Sequence, residues 1–519
     1  MAIPSGLWQN VAFTTKNLAA VFPVNATPTT HNQDKTDKEQ QYCVSNIEQD
    51  PQILLEQSLD AKDWALSNGL VKLVVVPSCP ECGKKMDKPN VMTQFSPLSL
   101  YPSPFPRKLF QQAVDVQKAM LLLYFRASCD YEFLKEAYRE VLNSEIENGV
   151  INLVPKLDKM FSEKIRQPVT MFCQRADYMA SENVDGQYVL KQVEVNTGAI
   201  GCFAIASRFP RLHRRMDQSD TMVAETLYQA WLAFGNAEAM ILFLHGGPNS
   251  HLMLESRQIQ HQLENISTER IKCRFITLKE GLNRLKRDPN NFSLILDDKF
   301  VVAVVFDRLG VALSKEENDL NIEIDRSTAI KTPSIIFALS HTKRMQQVFT
   351  KPGMVEKFFN NPEEAHMAEA IRKVQTKGWA IGKDEDLTED IIKKATANPH
   401  RYVLKNNGCR LMSEDIFFNE NIPKKLESME PADRDFFYLT EKLRPMVVKN
   451  HFIRPNMEPA LNVDATPELG IFGCLIGNTE TGKVSYFSRT GHMMKTKLAS
   501  VDEGGVWKGY SVGDSPYLV

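Results

Sequence analysis

The chain has 519 residues, 43% of them hydrophobic and 24% charged, which is enough for one large core or for several domains. Its formal net charge of -2 gives no electrostatic reason to expect nucleic acid or an anionic membrane as a partner. No apolar run approaches the ~18 residues that a membrane-spanning helix needs.

Residues 1–44, rich in Thr, Asn, Gln and Lys, are typical of a disordered extension. They lack the compact apolar segment of a secretory signal, but a signal removed before Met1 would leave secretion open. Nine scattered cysteines, an odd number, indicate a reducing compartment. Cys79 and Cys82 have the spacing of half a zinc knuckle, yet no second pair completes four ligands, so a surface loop with two thiols or a local disulfide is favoured.

The predicted elements begin with residues 97–106, "PLSLYPSPFP", which four prolines keep extended. Residues 239–310 alternate short apolar strands with helices and turns, which predicts a small α/β unit with partly parallel pairing, inserted into a larger domain. Asn361 and Pro362 predict the start of a helix, and Gly378 predicts its end. An earlier helix is predicted where apolar residues recur at helical spacing, at Leu109, Ala113, Val116, Met120 and Leu123.

Two pairs of charged or polar residues fall on predicted strands. In "YVLKQVEVN", residues 188–196, Glu194 and Asn196 are two apart and therefore share a face. A carboxylate beside an amide oxygen suits a magnesium ion that carries phosphates, although from these residues alone an exposed polar strand face is the favoured explanation. Lys495 and Lys497 repeat the spacing in the strand-rich carboxyl-terminal third and could meet anionic groups.

Residues 401–405, "RYVLK", form a predicted buried strand that delivers Lys405 to a loop. Such a loop could wrap the phosphates of a nucleotide. It contains one glycine, Gly408, and no carboxylate before Glu414. The sequence thus predicts a phosphate-binding position with few groups to surround the phosphate.

The order of several segments resembles eukaryotic glutathione synthetase from about residue 45 to the carboxyl terminus. The longest is "QRADYMASENVDGQYVLKQVEVNTGAIGCFAIASRFPRLHRRM", residues 174–216, which resembles the part of the family that carries a substrate arginine and metal ligands. The resemblance continues through "SHTKRMQQVFTKPGM", "RYVLK", "TEKLRP", "RPNMEPA", "ELGIFG", "GHMMKTK" and "SPYLV".

The resemblance implies an α/β (α+β) architecture, the ATP-grasp fold with an inserted small α/β substrate-binding domain. We accordingly expect an extension at 1–44, the first part of the ATP-grasp body at 45–238, the inserted domain at 239–342 and the second part, with the lid and glycine-loop region, at 343–519. The family uses ATP and Mg2+ to activate γ-glutamylcysteine as an acyl phosphate, which the amine of glycine attacks to give glutathione. Family members are typically cytoplasmic homodimers that bind small molecules.

The resemblance also assigns roles to individual residues of this chain. Arg175 matches a substrate arginine, and Arg308 matches another after a shift of one residue. Lys495, Val506 and Trp507 match the acceptor end of the substrate site. Metal ligands are matched by Glu194 and Asn196. The matched ATP contacts are Glu194, Lys343, Lys405, Asn406, Asn407, Glu441, Lys442, Glu468 and Lys497.

The chain departs from the family after Lys405, where a longer glycine-rich loop and a glutamate that is a third metal ligand are both missing. Glu414 or Asp415 could replace that glutamate. Lys495 stands where the family has an arginine that pairs with the glycine carboxylate, and Trp507 where it has a small residue. The family's polar positions are also altered at Gly198, Ala199, Ile200, Gly201, Ser256 and Val311.

These departures leave three hypotheses for function. The first is a glutathione synthetase-like protein in which the normal activity is weak, altered or lost, including a ligase with a different donor or acceptor. The second is a non-catalytic binding or interaction protein, secreted if a signal was removed. The third is a genuine glutathione synthetase.

Overall fold

The computed structural model of this protein describes most of the chain from Asp50 to Val519. The described residues are 50–78, 85–142, 157–158, 161–162, 167–197, 200–213, 222–247, 250, 252–267, 271–309, 314–337, 339–340, 342–382, 388–407, 416–502, 504–506 and 509–519. The predicted extension, both residues of the Cys79 and Cys82 pair, the loop residues 408–415 and Trp507 therefore lie outside the described residues.

The helices lie between and around the strands. They are α1 Pro51–Ser67, α2 Arg107–Cys129, α3 Tyr131–Leu142, α4 Arg208–Leu212, α5 Met222–Phe234, α6 Met253–Ile266, α7 Leu278–Arg284, α8 Lys315–Asp325, α9 Lys343–Thr350, α10 Ala365–Val374, α11 Thr388–Ala397 and α12 Asn421–Glu427. Within the described residues, no helix combines the length and the apolar character that crossing a membrane requires.

The strands of the amino-terminal half are β1 Val71–Ser78, β2 Lys85–Phe95, β3 Leu98–Ser99, β4 Ser103–Phe105, β5 Val169–Glu182, β6 Tyr188–Thr197, β7 Met240–His245, β8 Cys273–Ile276, β9 Leu285–Arg287, β10 Leu294–Leu296, β11 Phe300–Arg308 and β12 Ile330–Thr332. Those of the carboxyl-terminal part are β13 Gly378–Ala380, β14 Tyr402–Asn406, β15 Ile416–Phe418, β16 Phe437–Glu441, β17 Val448–Ile453, β18 Ala460–Asn478, β19 Lys483–Phe487, β20 Gly491–Leu498, β21 Ser511–Asp514 and β22 Pro516–Leu518.

The largest sheet has the order β17-β3-β21-β20-β18-β5-β6, with β19 also paired to β18. Its centre is β18, which lies antiparallel to β5 on one side and to β20 on the other. Helix α2 packs so closely against one face that a Cβ atom on Gly477 would lie 2.4 Å from the Phe125 ring. On the other face, Phe472, Cys474 and Ile476 share one buried core with α5 and with the strands of a second sheet.

That second sheet has the order β8-β7-β11-β10-β9, and β12 pairs with β11. Strand β7 is parallel to β8 and β11, and β11 is parallel to β12, whereas β10 is antiparallel to its neighbours. The predicted α/β unit with partly parallel pairing is therefore confirmed. Its helices α7 and α8 both begin with a complete capping box, in which the cap side chain and a glutamate three residues later bond each other's backbone N–H.

A third sheet, of order β13-β16-β14-β15, is antiparallel throughout. It contains the predicted strand that carries Lys405. The predicted end of the preceding helix at Gly378 is wrong, because α10 already ends at Val374 and Gly378 begins β13. Pairing with Thr440 of β16 extends the backbone there, so the glycine belongs to a strand rather than to a helix stop.

Candidate functional site

Four adjacent strands of the largest sheet, β20, β18, β5 and β6, place charged side chains on one face. Lys495 lies directly opposite Glu468, Asp177 opposite Glu194, and Arg175 opposite Asn196. Because side chains two apart on a strand share a face, these three pairs meet as one group. The shared face predicted for Glu194 and Asn196 is confirmed, since Asn196 Nδ2 lies 3.0 Å from Glu194 Oε1.

Gly470 makes this meeting possible at the centre of the sheet. It lies on β18 between Asp177 of β5 and Met493 of β20. A Cβ atom added to Gly470 would lie 2.7 Å from Asp177 Oδ1 and 3.0 Å from Arg175 Cδ. Real Cβ contacts are essentially never this short, so any larger residue would displace the ion pair.

Asp177 is the hub of the group and its side chain is fully buried. Arg175 donates to it from Nε, 2.8 Å from Oδ1, and from Nη2, 2.9 Å from Oδ2. Asn196 Nδ2 and Lys495 Nζ donate to Oδ2 over 3.0 and 3.1 Å. Several charge-assisted hydrogen bonds thus offset the cost of burying this carboxylate.

A β-bulge brings Lys405 to the same face. Asp177 pairs with Glu194 but Tyr178 pairs with Gln192, so Val193 is an extra residue on β6. The carbonyl of Val193 accepts a hydrogen bond from Lys405 Nζ over 3.4 Å. Burial and the positive charge of nearby Lys343, the first residue of α9, lower the pKa of Lys405 to about 8.

The carboxylates of the group differ in their electrostatic environment. Burial alone would raise the pKa of Glu194, but Lys495, Lys343 and Arg175 together hold it well below its usual value. Burial raises the pKa of Glu468, and the charges of Asp177 and Glu194 add to this effect. Of these two carboxylates, Glu194 therefore stays ionised over the wider range of pH.

Burial works against the charge of Lys495, but Asp177 and Glu468 outweigh it and raise the pKa of this lysine above its usual value. The ammonium group is thus charged at neutral pH. It lies 2.6 Å from Glu468 Oε1, a short charge-assisted contact.

One carboxylate oxygen from each of Asp177, Glu194 and Glu468 lies within 4.8 Å of the other two. Carboxylate and amide oxygens are the ligands that Mg2+ prefers, so the three carboxylates fit this ion in chemical type. Asn196 would add its amide oxygen after a half-turn of the amide that now donates from Nδ2. The side chain of Glu194 remains 28% exposed and gives access from solvent.

Two further predicted nucleotide residues, Lys442 and Lys497, form a second group around Asp502. Lys442 Nζ donates to Asp502 Oδ1 over 3.3 Å and to Asn419 Oδ1 over 3.2 Å. Lys497 Nζ donates to the backbone carbonyl of Asp502. Burial lowers the pKa of Lys497, against the opposing charges of Glu468 and Asp502. The charge of Glu468 acts on Lys497 and so links this group electrostatically to the strand face.

The other predicted ATP contacts occupy structural positions. Asn407 is buried, its Nδ2 donates to the carbonyl of Asp435 over 2.6 Å, and its own carbonyl accepts from Arg344 N. Asn406 is buried and ends β14, and Glu441 is exposed at the end of β16. Among the acceptor-site residues, Val506 is buried and its carbonyl accepts from Gly509 N.

The structure does not place Arg308 among the side chains of the strand face. Its guanidinium group is 1% exposed and forms an ion pair with Glu255, with 2.7 Å between Nη2 and Oε2. It also donates to the carbonyl of Ile200. Glu255 in turn accepts from Ala204 N over 3.0 Å, so the pair fixes the turn that follows β6.

Sequence reasoning missed two residues of this region. Asp177 lies two residues after Arg175 on the same strand, and the alternation in "QRADYM" could have placed both on one face. Glu255 lies on α6 and no pattern in the sequence links it to Arg308.

Comparisons with known proteins identify the family of this chain. The family described as "Eukaryotic glutathione synthase, ATP binding domain" matches residues 52–518. The chain is 27% identical to glutathione synthetase from Dictyostelium discoideum over 491 residues, which covers 90% of this chain and 98% of that protein. It is 28% identical to glutathione synthetase from Homo sapiens, with 91% of this chain and 98% of that protein covered.

A solved structure adds to these relatives. The apo form of a glutathione synthetase like-effector from Globodera pallida is 71% identical and covers 92% of this chain and 100% of that chain, with a TM-score of 0.76. The strand face of acidic and basic residues lies within the matched region, and the α/β ATP-grasp fold predicted from the sequence is confirmed. The chain belongs to the eukaryotic glutathione synthetase family.

Proposed function

We propose that this protein binds ATP with Mg2+ on the strand face and acts as a carbon–nitrogen ligase whose substrates differ from those of normal glutathione synthesis. One observation carries the proposal. Lys405 and Lys495 are distant in the chain from the neighbouring strands that carry Arg175, Glu194 and Asn196. All five nevertheless converge with Asp177 and Glu468 on one face. A cluster of buried charges this dense is costly for stability and is typical of a functional site.

The ligation would proceed through an acyl phosphate. The substrate carboxylate attacks the γ-phosphorus of ATP and ADP leaves; an amine then attacks the acyl carbon and phosphate leaves, which forms the amide. Lys343 and Lys405 would hold the nucleotide phosphates, and Lys405, with a pKa of about 8, is still mostly charged at neutral pH. Arg175 would bind a carboxylate of the substrate through Nη1, since Nε and Nη2 are the atoms that contact Asp177.

Glu194 and Asn196 would hold the magnesium ion, with Glu468 close by. When bound, magnesium would supply positive charge that offsets the negative charge developing during transfer. The protein contributes mainly positions and electrostatics, because phosphoryl transfer requires little covalent chemistry from its side chains.

Two contacts support a change at the substrate end. The amine of Lys495 is 8% exposed and bonded to Asp177 and Glu468, so it presents no free cation to a substrate carboxylate in this conformation. Arg308 is likewise bound to Glu255. Both positions match substrate arginines of the family, so we expect weak or altered use of glycine and γ-glutamylcysteine.

The test is to incubate the full chain with ATP, magnesium, γ-glutamylcysteine and a panel of amino-acid acceptors, and to identify products by mass spectrometry. We expect a conjugate other than glutathione, and Glu194→Gln should abolish it while the exposed control Glu182→Ala should not. Glutathione as the main product would instead assign normal glutathione synthesis. In that case Trp507→Ala should raise the rate little, because the site would already admit its substrates.

A non-catalytic binding protein is the second candidate, motivated by the missing glycine-rich loop and third metal glutamate after Lys405. Its prediction is the absence of any product and of ADP formation. Calorimetry separates the two, because a ligase should bind ATP in a magnesium-dependent manner and Lys405→Met should weaken that binding. No ATP binding at all would favour the non-catalytic candidate.

Other properties of the family extend to this protein as proposals. We expect small-molecule substrates, a homodimer and a cytoplasmic location, with secretion as the alternative. Analytical ultracentrifugation and fractionation of the cells that make the protein test the last two.

A further inference from the structure

The ammonium group of Lys495 lies among the three carboxylates that could hold a divalent cation. Its Nζ is 2.6 Å from Glu468 Oε1, 3.1 Å from Asp177 Oδ2 and 3.9 Å from Glu194 Oε1. We propose that Lys495 is a built-in counter-ion that takes the place of the divalent cation in the free protein, so that the metal enters only when this amine leaves. The inference rests on the proposed nucleotide site.

The strand register explains why lysine reaches this point. Lys495 on β20 lies opposite Glu468 on β18, and neighbouring strands are about 4.8 Å apart. The next residue of β18 on the same face, Gly470, has no side chain, so the flexible lysine stem can cross β18 to Asp177 on β5. A lysine ammonium is a compact charge with three donors, and it satisfies oxygen atoms from several directions as a metal ion would.

Two cations, Arg175 and Lys495, already compensate the carboxylates of the strand face. Asp177 is already neutralised by the two-pronged contact with Arg175. Lys495 then compensates Glu468 and part of the charge of Glu194. A divalent cation placed on the same oxygens would be repelled by an ammonium group a few ångströms away.

It follows that the free protein should bind divalent cations weakly. The phosphates of ATP offer the ammonium group another anionic partner, so nucleotide and metal are expected to bind together rather than in either order. The substitution of the family's arginine by lysine therefore bears on the order of binding as well as on the acceptor.

The test is a titration of the full chain with Mn2+ alone, with free Mn2+ measured by electron paramagnetic resonance. We expect Lys495→Met to bind Mn2+ at least tenfold more tightly than the unmodified protein. Lys483→Met is the matched control, because it removes the same charge from an exposed position of the same sheet, on β19. Its Mn2+ affinity should change less than threefold, and an unchanged or weaker affinity in Lys495→Met would overturn the inference.

If Lys495→Met does not fold, the same substitution is made in a Glu468→Gln background, where one carboxylate fewer needs compensation. The double variant should then bind Mn2+ at least threefold more tightly than Glu468→Gln, and no difference would again refute the counter-ion role. Calorimetry with magnesium and ATP on the unmodified protein keeps the two proposals separate. If the unmodified protein binds ATP but Lys495→Met leaves the Mn2+ affinity unchanged, only the counter-ion role is overturned. If Lys495→Met binds Mn2+ more tightly but the unmodified protein binds no ATP, only the nucleotide site is overturned.

Discussion

Replacement of Asp177 by alanine leaves Arg175 and Lys495 buried without their shared partner. Asp177 is fully buried and accepts hydrogen bonds from both cations and from Asn196. Removal of one partner from a buried ion pair costs about 3–5 kcal/mol, mainly because the remaining charge is uncompensated. The entropy of unfolding, about 2.1 cal/mol/K per residue, gives about 1 kcal/mol/K for a body of this size. The expected fall in the midpoint of thermal unfolding is therefore about 3–5 °C.

Differential scanning calorimetry measures this fall. Asp177→Asn keeps the shape and removes only the charge, so it should lose about half of the stability that alanine loses. Asp319→Ala, on an exposed position of α8, is the control and should change the free energy of unfolding by less than about 0.5 kcal/mol. In combination with Lys495→Met, the cost of Asp177→Ala should shrink, because one of the stranded cations is gone. A fall below about 1 °C in Asp177→Ala would refute the view that this carboxylate holds the two cations.

The remaining predictions concern pH, a buried pair and two thiols. The pKa of Lys405 is about 8 in the folded protein, against its ordinary value of 10.5. The affinity for ATP, measured by calorimetry, should therefore fall as the pH rises from 7 to 9. The Lys405→Met variant should lack this dependence. Between pH 7 and 9 the amine of Lys405 is more fully protonated in the unfolded chain than in the folded protein. The contribution of this residue to the free energy of unfolding therefore rises with pH. Arg308→Met should lower the free energy of unfolding by about 3–5 kcal/mol in chemical denaturation, because it leaves Glu255 buried without its partner. Adding Glu255→Leu should restore most of this loss. A double variant as unstable as Arg308→Met would contradict the role of the pair. Cys173 and Cys474 are directly paired on neighbouring strands, with their Sγ atoms 3.0 Å apart. Refolding with oxidised glutathione should therefore form a disulfide between them, with the loss of two free thiols. Peptide mapping checks this outcome.

Local periodicity identified one strand of the site, β6, and one helix that packs against the same sheet, α2. The alternation in residues 188–196 predicted strand β6 and the shared face of Glu194 and Asn196, and helical spacing predicted α2. Both patterns depend on residues within one element, where the backbone geometry fixes which side chains share a face. The resemblance to glutathione synthetases added the fold, which the family match confirmed.

Tertiary structure decided which of these faces meet. Asp177 and Lys495 are separated by 318 residues, and only the strand order β20-β18-β5-β6 with its register brings them together across Gly470. The same long-range pairing drew Gly378 into a strand and set Arg308 against Glu255. No local pattern contains this information, because the partner of a strand or of a buried charge is chosen by the pairing and packing of segments that are distant in the sequence.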